Sequence, residues 1–461
     1  MTVARVLHPS LFDTLSAVPR SESTPPLYYL LAWAWSRIFG TGEVGLRSLS
    51  ALAGTASIPI LYLGALALGM RRRVGLIAAA MAAVSPVLIW FSQDARAYSL
   101  VFLLTALSFL FFARALRDPR RGTLLAWAFS SALALCTHYF AGFVLVPEAA
   151  LLLLWSSERR RVASSLLVIF AAGALLLPVA LQQAETAHAS CIAEQPLPDR
   201  LDRAGAKLVG NDNGDEHGAR QPGPIPLGVP VALALAALLM LALLGERRER
   251  RSAGVAAVVG VSGVIAPLLL GAFGADYLDG RNLLPVFVPL ILVIAAGFGV
   301  RRAASAGILA AAAFCFCSLV FTIEIDRLPR LQREDLRNAA DQIGAPRPGV
   351  AIVTIRYATS QPLLYYLGAE VARGPLPPLR EIDLVGSKLA ADRNARRLLP
   401  PQFRRVESQP VSYNFTLTRF RAPSPVRVPL RVLQNGDLVG GGRYSSVLSW
   451  PSAGAGTAAA R

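Results

Sequence analysis

The stretch RRRVGLIAAAMAAVSPVLIWFSQDARAYSLVFLLTALSFLFFARALRDPRR, residues 71–121, holds the pattern that decides the fold. The triplet Arg71-Arg72-Arg73 opens it and an apolar run follows. A polar hairpin, Ser92-Gln93-Asp94-Ala95-Arg96-Ala97-Tyr98, turns the chain, and a second apolar run ends in another basic cluster, Arg114 to Arg121. The same alternation continues outward in both directions. Apolar runs lie at roughly 45–69, 74–91, 97–116, 123–137, 139–155, 162–182, 228–245, 254–274, 283–300 and 303–323. Most come near the ~20 residues a helix needs to cross hydrocarbon. About ten transmembrane helices are expected.

Basic clusters recur in alternate gaps: Arg71 to Arg73, Arg114 to Arg121, Arg159-Arg160-Arg161, Arg247 to Arg251 and Arg301-Arg302. The intervening gaps are Ser92 to Ala97, Thr137-His138, 183–227 and Ala275 to Asn282, which hold few arginines and several acids. The positive-inside rule makes the arginine gaps cytoplasmic. The other gaps, the N-terminal segment and everything after about residue 324 then lie outside.

Composition excludes an ordinary water-soluble domain, since 54% of residues are hydrophobic and only 16% charged. The net charge of +17 belongs largely to short loops facing anionic lipid, so nucleic acid is not an expected partner. Cys136, Cys315 and Cys317 fall in apolar runs and only Cys191 in an external gap, which gives no disulfide framework.

The expected architecture is an all-α polytopic membrane protein with a small external α/β domain at its C-terminus. Residues 1–44 read as an external loop remnant, with 27–39 as an interfacial helix set up by Pro25-Pro26 or, alternatively, as the first half of a span reaching about residue 55. The transmembrane domain is 45–323, with 183–227 as a long external loop able to cover a site. Residues 324–450 form the external domain: Leu336, Ala339, Ala340 and Ile343 have helical spacing, Gly349 to Ile355 reads as a buried strand and Tyr413 to Phe420 as an exposed-face strand. Residues 451–461, rich in Gly, Ala and Ser, read as a disordered tail.

Three external gaps concentrate polar groups at headgroup depth. Asp94 can accept a proton from an acceptor hydroxyl, while the Arg96 fork matches phosphate oxygens. The alternative is that the two only pair with each other and anchor helix ends. His138 can bind a divalent ion or hydrogen-bond a substrate, or be a satisfied structural group. Arg281, in Asp276-Tyr277-Leu278-Asp279-Gly280-Arg281-Asn282, can hold a lipid phosphate or merely snorkel. Glu148 lies ~15 Å inside a span, a functional acid by default, or else a protonated group bonded to a carbonyl freed by Pro147. No Walker motif, dinucleotide loop, nucleophile elbow or cysteine–histidine metal spacing occurs.

The runs Glu22 to Tyr29, Leu46 to Gly54, Ser92 to Tyr98 and Thr137-His138-Tyr139, with Arg281 to Pro285 and Gln332 to Ala340, resemble in order and spacing the bacterial membrane glycosyltransferases of the GT-C class. Within that class the chain looks like the branch of the protein mannosyltransferases (glycosyltransferase family 39), lipid A aminoarabinose transferases and RgtA/B/C/D-like domains. The resemblance implies transfer of a sugar from a polyprenyl-phosphate donor to a cell-envelope acceptor outside the cytoplasmic membrane. The family's expected base is an Asp-Glu pair that this sequence lacks, which leaves Asp94, ahead of Glu22, as the base candidate, with Arg96 and Arg281 for the donor phosphate and Tyr98, His138 and Tyr277 for substrate. A divalent metal ion, with His138 as its candidate ligand, is the one cofactor the resemblance admits.

Relatives usually begin with a span and an Asp-Glu pair in the first external loop, and this sequence carries neither before Met1-Thr2-Val3-Ala4-Arg5. The expectation is a coding frame that continues upstream. Two rival readings are a transporter of lipid-linked sugars, motivated by Glu148 and the proline in Val84-Ser85-Pro86, and a non-catalytic paralogue that binds a lipid-linked sugar.

Overall fold

The computed structural model describes residues 8–21, 23–185, 192, 195–212, 224–356, 359–387, 391–440 and 445–450. The expected tail 451–461, Glu22, Cys191 and much of the 183–227 gap lie outside the described residues. The chain divides into two compact units at Arg327 and Leu328.

The first unit is helical. Its helices are α1 (Leu11–Ser21), α2 (Leu27–Phe39), α3 (Glu43–Ala67), α4 (Arg72–Ala83), α5 (Pro86–Ser92), α6 (Tyr98–Ala115) and α7 (Arg121–Thr137). They continue with α8 (Gly142–Trp155), α9 (Arg159–Glu185), α10 (Leu197–Leu208), α11 (Gly228–Leu244), α12 (Arg247–Ala272), α13 (Leu284–Phe298) and α14 (Ala304–Arg327). Every expected apolar run is helical, because a backbone in hydrocarbon must satisfy its own hydrogen bonds.

The expected ten crossings are not all matched by long helices. Among the described residues, five segments are long and apolar enough to cross a membrane: α3, α6, α9, α12 and Arg301–Arg327, which contains α14. The pair α4 and α5 makes a sixth if its 59° bend is a break within one span. The bend has a local cause. Pro86 opens α5 without an amide hydrogen and holds Ser85 in an extended conformation, so the helix cannot run through. The segment Tyr139–Trp155 and helices α11 and α13 are apolar but shorter. Length and composition establish a multi-pass membrane protein.

Helix α13 sits at the centre: all of its residues except Leu290 are buried. A helix apolar on every face is one surrounded by other helices. Its N-terminus therefore delivers Arg281 and Asn282 to a fixed place at one end of the bundle.

Four arginine gaps meet at the opposite end. Arg71 pairs with Glu246 at 3.5 Å and Glu249 at 3.3 Å, and Arg301 Nε lies 3.8 Å from Glu246. The Arg301 amide donates to Glu249 at 3.2 Å and Arg73 donates to the Gly299 carbonyl at 2.6 Å. Arg117 lies against Gly69, whose positive φ of 80° closes the turn after α3. The two glutamates also cap α12 reciprocally.

The N-terminal region differs from expectation. Gly40 to Gly42 separates α2 from α3, so 27–55 is not one helix. A helix α1 precedes it, and Tyr28 and Tyr29 are buried instead of facing headgroups. The 183–227 gap, expected as loop, contains α10.

The second unit is a six-stranded mixed sheet in the order β2-β6-β1-β3-β5-β4. Its strands are β1 (Val350–Ile355), β2 (Glu370–Val371), β3 (Leu379–Ser387), β4 (Arg404–Pro410), β5 (Phe415–Val426) and β6 (Ser445–Ser449). Strands β1 and β3 are parallel, which needs a crossover connection, and the other pairs are antiparallel. Alternation along β1 divides two cores. Ala351 and Val353 pack with Ala395, Leu399 and Phe420, while Ile352 packs with Leu336, Ala339 and Leu363. The expected strand from Tyr413 begins instead at Phe415, because 411–414 form the turn between β4 and β5.

Candidate functional site

Asp94 and Arg96 lie in a turn closed by bonds from the Asp94 amide to the Phe91 carbonyl at 3.2 Å and from the Arg96 amide to the Asp94 carbonyl at 2.7 Å. Both side chains are half-buried. The turn hangs between the short α5 and α6 rather than between two long helices. It can approach α3 because Gly54 has no side chain where Ser92 packs.

A chain of ring contacts joins three gaps remote in sequence. Phe91 meets Tyr98 at 4.5 Å between centroids, Tyr98 meets His138 at 5.9 Å, His138 meets Phe140 at 5.2 Å, and Phe140 meets Tyr277 at 5.3 Å. The Arg96 guanidinium stands 5.3 Å above the Tyr98 ring. Tyr98, His138 and Tyr277 therefore line one connected wall.

His138 is buried, and its Nδ1 accepts weakly from the Phe140 amide at 3.4 Å. Burial, then the positive charges of Arg281 and Arg96, hold its pKa down to about 3. The imidazole is therefore neutral at physiological pH. Among the described residues no three His, Cys, Asp or Glu side chains converge on a metal-sized site. The chemistry below is derived from side chains alone.

Arg281 is oriented by Asp279: its Nε lies 3.4 Å from one carboxylate oxygen and its amide donates to the other at 3.1 Å. Asp276 pairs with Arg200 of α10 at 2.5 Å, and that bond holds its pKa below the usual carboxylate range. The fully buried Lys207 of α10 packs against Gly280, where an added Cβ would come within 2.9 Å of Nζ. Glu22 lies outside the described residues.

Several participants are not evident from the sequence. The Tyr28 hydroxyl bonds Ser50 at 3.1 Å, and Ser50 donates to the Arg96 carbonyl at 3.4 Å. Burial raises the Tyr28 pKa, the Ser50 bond opposes it, and the charges of Asp94 and Arg96 act on it in opposite directions. Gln183, at the end of α9, donates to the Thr24 carbonyl at 3.0 Å and accepts from the Tyr139 hydroxyl at 2.8 Å. Tyr28 and Ser50 stood in recognisable runs; Gln183, Arg200 and Lys207 stood in or beside a gap with no pattern.

Glu148 is fully buried but is not bonded to a carbonyl freed by Pro147. It accepts from Ser108 at 2.6 Å and from the Trp127 indole at 2.9 Å, tying α8 to α6 and α7.

Residues 23–181, about a third of the chain, match the family described as dolichyl-phosphate-mannose-protein mannosyltransferase. The matched segment contains Tyr28, Asp94, Arg96, Tyr98 and His138 and stops before Tyr277 and Arg281. No curated protein matches the chain. Among solved structures, ArnT from Cupriavidus metallidurans in the apo state is similar at 16% identity and TM-score 0.39, covering 86% of this chain and 87% of that one. The same protein bound to undecaprenyl phosphate gives 14% identity and TM-score 0.40 over 88% and 89%. The arabinofuranosyltransferase AftD from Mycobacteria gives 17% and 0.46 over 86% of this chain and 36% of that one.

Proposed function

We propose that this chain is a membrane glycosyltransferase that moves a sugar from a polyprenyl-phosphate donor to a cell-envelope acceptor on the outer face of the cytoplasmic membrane. The observation that carries the reading is the convergence of two arginines remote in sequence on one wall: Arg96 stands over the Tyr98 ring that meets His138, and Arg281 acts on His138 from the 276–282 segment. The same charges, Arg96 and Arg281, that disfavour an imidazolium there favour a phosphate anion. The family match over 23–181 supports the same chemistry independently.

In the proposed reaction the acceptor hydroxyl oxygen forms a bond to the anomeric carbon as the bond from that carbon to the phosphate oxygen breaks. Asp94 takes the hydroxyl proton, and the departing phosphate is held by Arg96 and Arg281. The wall of Tyr98, His138 and Tyr277 orients the sugar, with neutral His138 as a hydrogen-bonding group. Sidedness rests on the arginine pattern, since four of its clusters gather at the end of the bundle away from this rim. The transporter reading leaned on Glu148, whose Oε2 accepts from Ser108 and from the Trp127 indole and so joins three helices.

The test is transfer of radiolabelled sugar from polyprenyl phosphate in membranes carrying the protein. Asp94→Asn and Arg281→Lys, the latter keeping charge but losing the planar fork, should each lower transfer about tenfold or more, a loss of at least ~1.4 kcal/mol in transition-state stabilisation. Unchanged transfer in both, at equal expression, would refute the assignment.

A further inference from the structure

The register of the C-terminal sheet gathers arginines at one end of four neighbouring strands. Arg404 of β4 stands directly opposite Arg421 of β5, and Arg421 stands opposite Glu381 of β3. Arg347, just before β1, reaches the same Glu381 at 2.8 Å. Leu379 and Val426 are partners in register, and Arg380 and Arg427 each follow one of them. Arg397 lies in the last turn of the helix Ala391–Leu398, after which the chain leads into β4.

The acids at this end are already balanced. Glu381 pairs with Arg347 and, at 2.5 Å, with Arg421, while Asp383 and Glu407 pair with Arg419 at 3.0 Å and 2.8 Å. Three carboxylates thus meet three guanidiniums. Arg380, Arg397, Arg404 and Arg427 remain, all exposed, and among the described residues no acid pairs with their side chains. Like charges directly opposite each other on two strands are destabilising. The Arg404–Arg421 register therefore weakens the sheet, and the acid beside it is shared among other arginines.

An anion laid across this end would relieve that repulsion. Strands β1, β3, β5 and β4 are successive neighbours ~4.8 Å apart, and they supply Arg347, Arg380, Arg421 and Arg404, one arginine per strand. A linear polymer of hexuronate units carries one carboxylate per sugar at a comparable spacing. Each guanidinium fork matches a carboxylate through two parallel hydrogen bonds. The chain enters this unit at the other end of the sheet, where Asn338 donates to the Val411 carbonyl at 2.8 Å and Glu334 accepts from the Asn414 side chain at 2.5 Å. From that turn to Arg404 is the length of β4, ~20 Å. An end so remote from the point of entry suits a polymer reached from solution, with lipid headgroups as the competing occupant.

We propose that this end of the sheet binds a linear acidic polysaccharide of hexuronate type, with Arg380, Arg404 and Arg427 supplying the unbalanced charge. It is a second binding surface of the chain, and it requires no catalysis at the helical rim.

The test uses the full-length protein in nanodiscs of phosphatidylcholine, titrated separately with oligogalacturonate, with neutral dextran and with phosphatidylglycerol vesicles. Oligogalacturonate should bind and dextran should not. The binding should fall between about 0.1 and 1 M salt, over which the screening length shrinks from ~10 to ~3 Å. Arg404→Gln should weaken it about fivefold or more, and Arg380→Gln combined with Arg404→Gln about tenfold or more. Arg373→Gln, which removes an exposed charge just after the far edge strand β2, should stay within about twofold. The thermal midpoint of Arg404→Gln should equal or exceed that of the wild type, because a like-charge contact is removed. Absence of oligogalacturonate binding, equal binding of dextran, unchanged binding by the double variant, an equal loss in Arg373→Gln, or preference for the vesicles would overturn the proposal. None of these results bears on transfer by the rim, which is read separately through Asp94 and Arg281.

Discussion

Replacing Gly54 by alanine tests whether the position of the Asp94–Arg96 turn matters, without touching a charged group. The new methyl carbon would stand 2.0 Å from Ser92 Oγ and 3.0 Å from Ser92 Cβ, where ordinary contact begins at 3.4 Å. Rotating the hydroxyl relieves the first clash and gives up the Ser92 bond to the Leu88 carbonyl at 2.7 Å, a loss of about 1 kcal/mol. The second clash persists in every rotamer. It forces the end of α5 back by about 0.4 Å, and overpacking of this kind costs about 1–3 kcal/mol. The total is about 2–4 kcal/mol of stability. A misplacement of 1 Å can cost about a hundredfold in rate, so a shift of a few tenths predicts a loss of about threefold to tenfold. The assay is transfer from labelled polyprenyl phosphate, with a thermal midpoint measured in detergent. Ser92→Gly in the Gly54→Ala background removes both contacts and should restore the rate, with stability still short by the lost Leu88 bond, about 1 kcal/mol; Ser92→Ala keeps the Cβ clash and should restore neither. Wild-type behaviour of Gly54→Ala, or no recovery with Ser92→Gly, would refute the argument that this close approach sets the turn.

Two further outcomes follow from the same geometry. His138 is held neutral to about pH 3 when folded but binds a proton near 6.5 when unfolded, so stability should fall as pH drops from about 6.5 toward 3. Carboxylates titrate in that window as well, so the readout is the difference between proteins: His138→Phe should show a shallower loss of thermal midpoint, and equal slopes would contradict the burial argument. In intact cells an impermeant thiol reagent should label a cysteine placed at position 430 and not one placed at 160; the reverse would invert the assigned orientation.

Much of the helical unit was legible because apolar length and arginine spacing report on the solvent directly. What length does not report is which helix is surrounded. α13 and the lipid-facing helices look alike in composition, and only packing shows that α13 is buried on nearly every side. Pro86 was visible, but its consequence depends on whether neighbouring helices repair the lost bond; here the helix breaks and bends. Glu246 and Glu249 read as acids in a basic gap, and their work in joining Arg71 to Arg301 spans remote segments. At the candidate site, residue types and their place at helix ends were readable for Asp94, Arg96, His138 and Arg281. The ring chain from Tyr98 to Tyr277 was not, because no local period links residues so far apart. Tyr413 is a similar case: apolar alternation ran through it, but the turn at 411–414 took it out of the strand.

The buried groups of the first unit divide by the work they do. Glu148 has two donors from neighbouring helices, both on Oε2, and these bonds fix how α6, α7 and α8 pack. Those helices carry Tyr98, Thr137 and Phe143 at or near their rim ends, so packing at Glu148 sets the floor on which Tyr98 and His138 stand. Gln183 acts at the rim itself, joining the segment before α2 to the turn after α7. Arg200 and Lys207 bring α10 against the 276–280 segment. The rim is thus held from three directions, by α3 through Ser50, by α9 through Gln183 and by α10 through Arg200, while α13 presents Arg281 from the centre. Such support is what a site needs if fixed charges are to act on a phosphate at the moment its bond breaks, because preorganised groups need no rearrangement during the step.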